Sequence, residues 1–316
     1  MSRQRLYDWF LLLVCNLIWA SQFVMVKLVQ EQMGPLFAVF FPMAIATLLL
    51  IPIVRRERNA TVRRQDIGRF VLIGVAGQVM AQLFITWGTR ISLASNAALL
   101  SLALPVSTAV MAYFLLGERM TTVRWVSFAC AIGGVLACSG VDWSALNFSS
   151  ARYLGGNLMI LASVCGSAFY NAYSKKLLDR YSPLQVLAYS YYAVIAFLLP
   201  ITVYAEPESF GNLLHFSVTV WVGLVVLAFF QYFLSMVIFL NVLTRLDATQ
   251  AAVSNYLIPF FGLLLAALIL GEKLTTFMLA GGLLVLASTL LVTTYEERRG
   301  LRAALNQTKT HTKIAQ

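Results

Sequence analysis

"LLGERMTT", residues 115–122, interrupts an apolar stretch, and "ILGEKLTT", residues 269–276, interrupts another in nearly the same letters. The two phrases stand at an offset of 154, and the likeness extends beyond them. At that offset Ala94, Ala97, Ala98 and Pro105 fall on Ala248, Ala251, Ala252 and Pro259. Gly117, Glu118, Thr121 and Thr122 fall on Gly271, Glu272, Thr275 and Thr276. At an offset of 148, Ala20, Lys27, Pro35, Leu36 and Pro52 fall on Ala168, Lys175, Pro183, Leu184 and Pro200. One insertion of six residues, placed at 205–216, reconciles the two offsets. The halves therefore read as two copies of one unit, and the phrase as a hairpin turn used in both. Gly117 ends one helix in a left-handed cap, and Thr121 or Thr122 caps the start of the next.

Composition says where such a unit sits. The chain has 316 residues, 60% of them hydrophobic and 11% charged, with a mean hydropathy of +0.79. A soluble domain carries roughly 25% charged residues. Apolar runs recur at 9–27, 35–54, 67–89, 95–116, 123–140, 155–175, 183–204, 217–243, 249–270 and 276–294. Each is close to the ~20 residues that cross a bilayer, and backbone groups in hydrocarbon must bond within their own segment, so each is expected to be a helix. The first run is too long, and followed by too many others, for a cleaved signal peptide. Ten spans put both termini on one side. That side carries nineteen Lys and Arg, the other only Lys27, Arg90, Arg152 and Lys273, so both termini are expected in the cytoplasm, with the chain in the inner (plasma) membrane. The net charge of +10 is thus a topology signal and not a nucleic-acid footprint.

Five spans per copy is an odd number, so the second copy enters the membrane from the opposite face. The expected fold is all-α: ten transmembrane helices as two inverted five-helix repeats around a central cavity. The repeats occupy 1–140 and 141–294, and a polar cytoplasmic tail follows at 295–316. Inverted repeats of this kind rock around a site near the midplane in transporters.

Three stretches carry a family likeness: "NLIWASQFVMVKL" in the first span, "ASNAALLSLALP" running into "LLGERMTT", and "ATQAAVSNYLIP" running into "ILGEKLTT". The chain resembles the EamA family of the drug/metabolite transporter superfamily over residues 9–294. The resemblance implies ten helices, a cavity between two bundles, and transport of small metabolites, commonly outward. Many relatives carry an Arg in the middle of the second helix. Pro42 stands there in this chain, so no role is carried over from that Arg. Ala20 follows the Trp of the first span where relatives often have Gly.

Polar residues inside a span are costly and face a cavity or a partner helix. The first span offers Asn16, Trp19 and Gln22, and the third Gln78, Gln82 and Thr86 at spacings of four, with Trp87 beside them. In the sixth, Ser163, Ser167, Tyr170 and Ser174 lie within about 60° of arc at ~100° per residue, with Asn171 alongside. The eighth has Gln231, Tyr232 and Ser235. The fourth gives Asn96 and Ser101, echoed in the ninth by Gln250 and Asn255, with Tyr256 next. Singly these serve as interhelical glue; together they outline a wet cavity. Pro105 and Pro259 interrupt matching helices and are candidate hinges. Ala129, Gly133 and Ala137 form a small-residue seam in the fifth span, for packing or for a homodimer.

No Asp, Glu, Lys, Arg or His lies deep in any span. A phosphorylated solute would want a basic group there, and a compact permanent cation a carboxylate. The expected cargo is a small neutral, zwitterionic or amphipathic metabolite such as an amino acid, moved by alternating access as a facilitator or exchanger, with export the expected direction. The alternative is a proton-coupled exporter of amphipathic drugs. A membrane enzyme is disfavoured, because His215 and His311 lie in a loop and the tail and no nucleophile elbow is present. A non-transporting sensor with the same fold is a third reading. No cofactor or metal is called for, and Cys15, Cys130, Cys138 and Cys165 read as small packing residues. The expected partners are the solute and the lipid bilayer, with no nucleic acid; the chain is expected to be a monomer or a homodimer.

Overall fold

Backbone amides in hydrocarbon have only their own chain to bond to. The computed structural model describes residues 3–56, 62–91, 100–101, 103–117 and 151–270, with isolated positions at 121–133 and 276–295; among these every regular element is helical. The helices are α1 (Arg3–Val29), α2 (Pro35–Arg56), α3 (Arg64–Ile91), α4 (Ala103–Leu116), α5 (Ala151–Leu178), α6 (Pro183–Ala205), α7 (Val218–Leu243) and α8. The last runs from Ala248–Val253 through a 3-10 turn, Ser254–Tyr256, into Leu257–Leu270. Five of them, α1, α2, α3, α6 and α7, are long and apolar enough to cross a membrane. These eight helices fall on eight of the apolar runs. The runs 123–140 and 276–294, the tail, and Asn96, Glu118 and Glu272 lie outside the continuously described residues.

Helix ends are fixed by local chemistry. Gly117 follows α4 with φ 69°, and its N–H donates to Tyr113 O at 3.1 Å, the left-handed stop expected of it. Thr121 O accepts from Trp125 N at 3.1 Å and so opens the next helical turn. Ser182 caps α6, with Gln185 closing a capping box and Pro183 at the first position. The start of α2 is capped from another helix: the Glu206 carboxylate, at the end of α6, accepts from Leu36 N at 3.0 Å and Phe37 N at 2.8 Å. That carboxylate fills the space where a Cβ on Gly34 would stand. Between α6 and α7, where the repeat required an insertion, lie a short helix, Pro207–Gly211, and a 3-10 turn, Leu213–His215.

The burial pattern inverts that of a soluble helix. On α1, Phe10, Leu13 and Leu17 are exposed on one face, while Leu12, Cys15 and Asn16 are fully buried on the other. Close approach uses small residues. A Cβ on Gly166 of α5 would lie 2.9 Å from Ala81 N and 3.0 Å from Gly77 O of α3. Both are backbone atoms and cannot move aside. Gly166→Leu is therefore expected to destabilise by at least about 1–3 kcal/mol through overpacking. Thermal unfolding in detergent would check this; an unchanged midpoint would show that α3 and α5 do not pack this closely.

Helix neighbours come in matched pairs. The first helix packs on α7 and α8, and α5 packs on α3 and α4. The pair α2 and α6 touch each other, α2 also meeting α7 and α6 meeting α3. The exchange of α1 with α5, α2 with α6, α3 with α7 and α4 with α8 leaves this set of contacts unchanged.

Candidate functional site

Two helices depart from regular winding at corresponding places. Residues Ile73–Val79 of α3 and Val226–Leu234 of α7 form π-helical turns. Wide turns of this kind are frequent at functional positions, and here they carry Gln78, Gln231 and Tyr232, all buried. A third irregularity lies in α8. Pro259 has no N–H to offer Asn255 O, and the chain tightens into the 3-10 turn Ser254–Tyr256.

Around these irregular turns the polar side chains meet. Gln22, in the last third of α1, is bonded on both sides: it donates to Gln82 Oε1 on α3 at 2.9 Å and accepts from Gln231 Nε2 on α7 at 2.8 Å. Three amides thus run in one line across three helices. One turn along, Trp19 Nε1 donates to Ser235 Oγ at 2.9 Å, and Ser235 donates to Gln231 O at 2.5 Å. The Trp19 ring lies 5.1 Å from that of Phe239. A further turn along, Asn16 Nδ2 donates to Ser254 Oγ at 3.0 Å and to Leu12 O at 2.7 Å. On the α5 side, Tyr170 is buried with Gln78, Ser174 and Ser190 around its hydroxyl. Its Cβ would touch a Cβ placed on Gly77 at 3.0 Å, so Gly77 makes room for it. Tyr191 OH donates to Tyr232 O at 2.7 Å.

The sequence-derived residues divide accordingly. Trp19, Gln22, Gln82 and Gln231 join one hydrogen-bonded set through Ser235, and Asn16 stands apart from it, bonded to Ser254 and Leu12. Gln78, Tyr170, Asn171, Tyr232, Asn255 and Tyr256 are buried beside or within the irregular turns, and Ser167 is half-buried on α5. Gln250 sits at the start of α8, where Asp247 N donates to its Oε1 at 3.4 Å in a capping box. Trp87 is 38% exposed, at the outer surface of α3, and Ser101 is half-buried. Pro105 is buried within α4, and Pro259 follows the 3-10 turn of α8. Ser254 and Tyr191 were not singled out in the sequence. A serine in a 3-10 turn before a proline gives no periodic signal, and Tyr191 stands in a cluster with Tyr189, Ser190 and Tyr192 that marks no single helix face.

Among the described residues, the charged groups of the helices lie toward the helix ends. The Asp8 side chain, 2% exposed, accepts from Arg245 Nε at 2.9 Å and Nη2 at 2.7 Å. Asp66 pairs with Arg69 at 2.7 Å and accepts from Tyr181 OH at 2.5 Å. Burial, and then that carboxylate, push the Tyr181 hydroxyl above the usual tyrosine range. Lys175 donates to Leu246 O and lies 3.6 Å from Asp247. Among the described residues no three His, Cys, Asp or Glu gather as metal ligands. The midspan chemistry is that of amides, hydroxyls and aromatic faces: it can bind and release a polar solute.

Known proteins align with the whole of this arrangement. A family model, the EamA-like transporter family, matches the chain twice, at residues 8–140 and 154–294. A probable terminal-alkyne amino-acid exporter of Streptantibioticus cattleyicolor is 28% identical, the match covering 87% of this chain and 89% of that one. A probable amino-acid metabolite efflux pump of Salmonella typhimurium is 25% identical, over 91% and 94% of the two chains. The uncharacterized inner membrane transporter YicL of the same organism is 26% identical over 92% and 96%. A solved crystal structure shares the fold, with a TM-score of 0.76 at 15% identity, covering 92% of this chain and 98% of its own.

Proposed function

We propose, since the chain belongs to the EamA-like transporter family, that it is an inner-membrane permease exporting a small neutral or zwitterionic metabolite, an amino acid above all. Its ten helices form two inverted five-helix repeats, and transport proceeds by alternating access. Both termini lie in the cytoplasm. The double match of the family model and the matched helix contacts support the repeat. The names of two relatives, an amino-acid exporter and an amino-acid metabolite efflux pump, support the direction and the class of solute.

The observation that carries the reading is the amide line Gln231–Gln22–Gln82. It links helices of both halves within membrane-spanning segments, where such groups are expensive unless they face a solute or one another. Trp19, Tyr170 and Tyr232 add aromatic faces for an apolar side chain. No charged side chain sits at this depth among the described residues to serve as a proton relay, which favours facilitated diffusion or exchange.

Counterflow in proteoliposomes tests this. Vesicles preloaded with unlabelled neutral amino acids are expected to accumulate the matching label, and an imposed pH gradient is expected to leave the rate unchanged. Strong acceleration by the gradient would replace exchange with proton coupling. Absence of counterflow for every neutral amino acid would remove the proposed substrate class.

A further inference from the structure

Several buried polar atoms stand unmatched among the described helices, hydroxyls as well as carboxamides. Asn16 Oδ1, Gln231 Oε1 and both amide atoms of Asn255 have no hydrogen-bond partner. The orientation of Asn16 is decided by its neighbours: Leu12 O is purely an acceptor, so the Nδ2 group must face it and Oδ1 is left as a bare acceptor. Asn16 is fully buried and Asn255 is 5% exposed. They belong to one junction: Asn16 bonds Ser254, and Asn255 is the next residue in the 3-10 turn that breaks α8. Asn16 is also the middle residue of α1 (Arg3–Val29), so the junction lies at mid-depth.

We propose that this junction of α1 with the broken turn of α8 seats the protonated amine of the transported solute, with Asn16 Oδ1 and the Asn255 carboxamide oxygen accepting its N–H bonds. The inference rests on the permease reading above and narrows its substrate class to primary ammonium compounds. A buried acceptor without a donor is destabilising; an incoming ammonium removes that cost at two atoms. Those oxygens match two of its three donors, and carbonyl dipoles attract a cation more strongly in a low-dielectric setting than in water. They also hold it less tightly than a carboxylate would. A transport site needs that balance, because the solute must leave as readily as it arrives.

The test uses the full chain, purified in detergent at neutral pH in sodium-free choline buffer, and three molecules of one skeleton: leucine, isopentylamine and 4-methylpentanoate. Leucine and isopentylamine are expected to raise the unfolding midpoint and to bind by calorimetry; 4-methylpentanoate is expected to do neither. Asn16→Leu should abolish amine binding. Asn16→Asp, which keeps the shape and adds a charge, should tighten isopentylamine by roughly tenfold, about 1.4 kcal/mol. If Asn16→Leu does not fold, the aspartate variant decides alone: unchanged or weaker amine affinity overturns the seat. Binding of 4-methylpentanoate but not isopentylamine overturns it too. So does displacement of the amine by sodium ions with equal stabilisation, which would make the junction a metal-cation site. In each of these cases the permease reading stands if amino-acid counterflow is observed. Failure of counterflow together with all three ligands removes both.

Discussion

Gln22→Leu is expected to stop solute counterflow, by at least roughly tenfold, equivalent to about 1.4 kcal/mol, while leaving a folded protein. The substitution removes two hydrogen bonds, to Gln82 and from Gln231. Interhelical hydrogen bonds within membranes average about 0.6 kcal/mol, so the loss of two lowers stability by roughly 1 kcal/mol. That is too little to unfold a chain with so much other helix packing. Transport suffers more, because Gln22 is the link that passes from a helix of the first half to one of the second. Without it the Gln231 and Gln82 amides lose their common orientation. Counterflow in proteoliposomes and the unfolding midpoint should be read on the same preparation. Undiminished counterflow would place the amide line outside the solute's path and leave it as structural glue.

Arg245→Ala is expected to produce the larger loss of stability. Asp8 is almost completely buried, and its Oδ1 takes both guanidinium bonds; Gln4 adds a weaker one at 3.3 Å. Removing one partner of a buried pair leaves an uncompensated charge, at about 3–5 kcal/mol. The Arg245 side chain is 36% exposed, so water can partly replace it and the effect should lie near the lower end. Asp8→Asn in the Arg245→Ala background should recover much of the loss, because the orphaned charge is then gone. A double-mutant cycle measures this recovery as a coupling energy. Additive effects of the two substitutions would mean that the pair does not hold the start of α1 to the end of α7.

The membrane made the helices legible. Hydrocarbon leaves a chain few alternatives, and the run 183–204 became Pro183–Ala205 within a residue, set by Ser182, Pro183 and Gln185. The start of α1 was read late, at residue 9, because Arg3, Arg5 and Asp8 dilute its apolar signal; the pairing of Asp8 with Arg245 extends the helix back to Arg3. Partners within the site were hidden for a different reason. A period of ~100° per residue aligned Gln78 with Gln82, but the wide turn Ile73–Val79 rewinds α3 between its neighbours. Gln82 accordingly meets Gln22, while Gln78 lies by Tyr170. Asn16 and Ser254 stand 238 positions apart, and no local pattern announces such a pair. Gln250 has a local role that the sequence also spells out: the spacing Asp247-x-x-Gln250 is that of a capping box.

The paired π-turns bear on the chain's history. A π-turn packs one surplus residue into an otherwise regular α-helix, so a single codon gained in an ancestral gene is enough to make one. If the two halves descend from one five-helix ancestor, the irregularities of α3 and α7 are one event inherited twice, and the extra codon predates the duplication. A free-standing half, pairing with an upside-down copy of itself, would already have carried it.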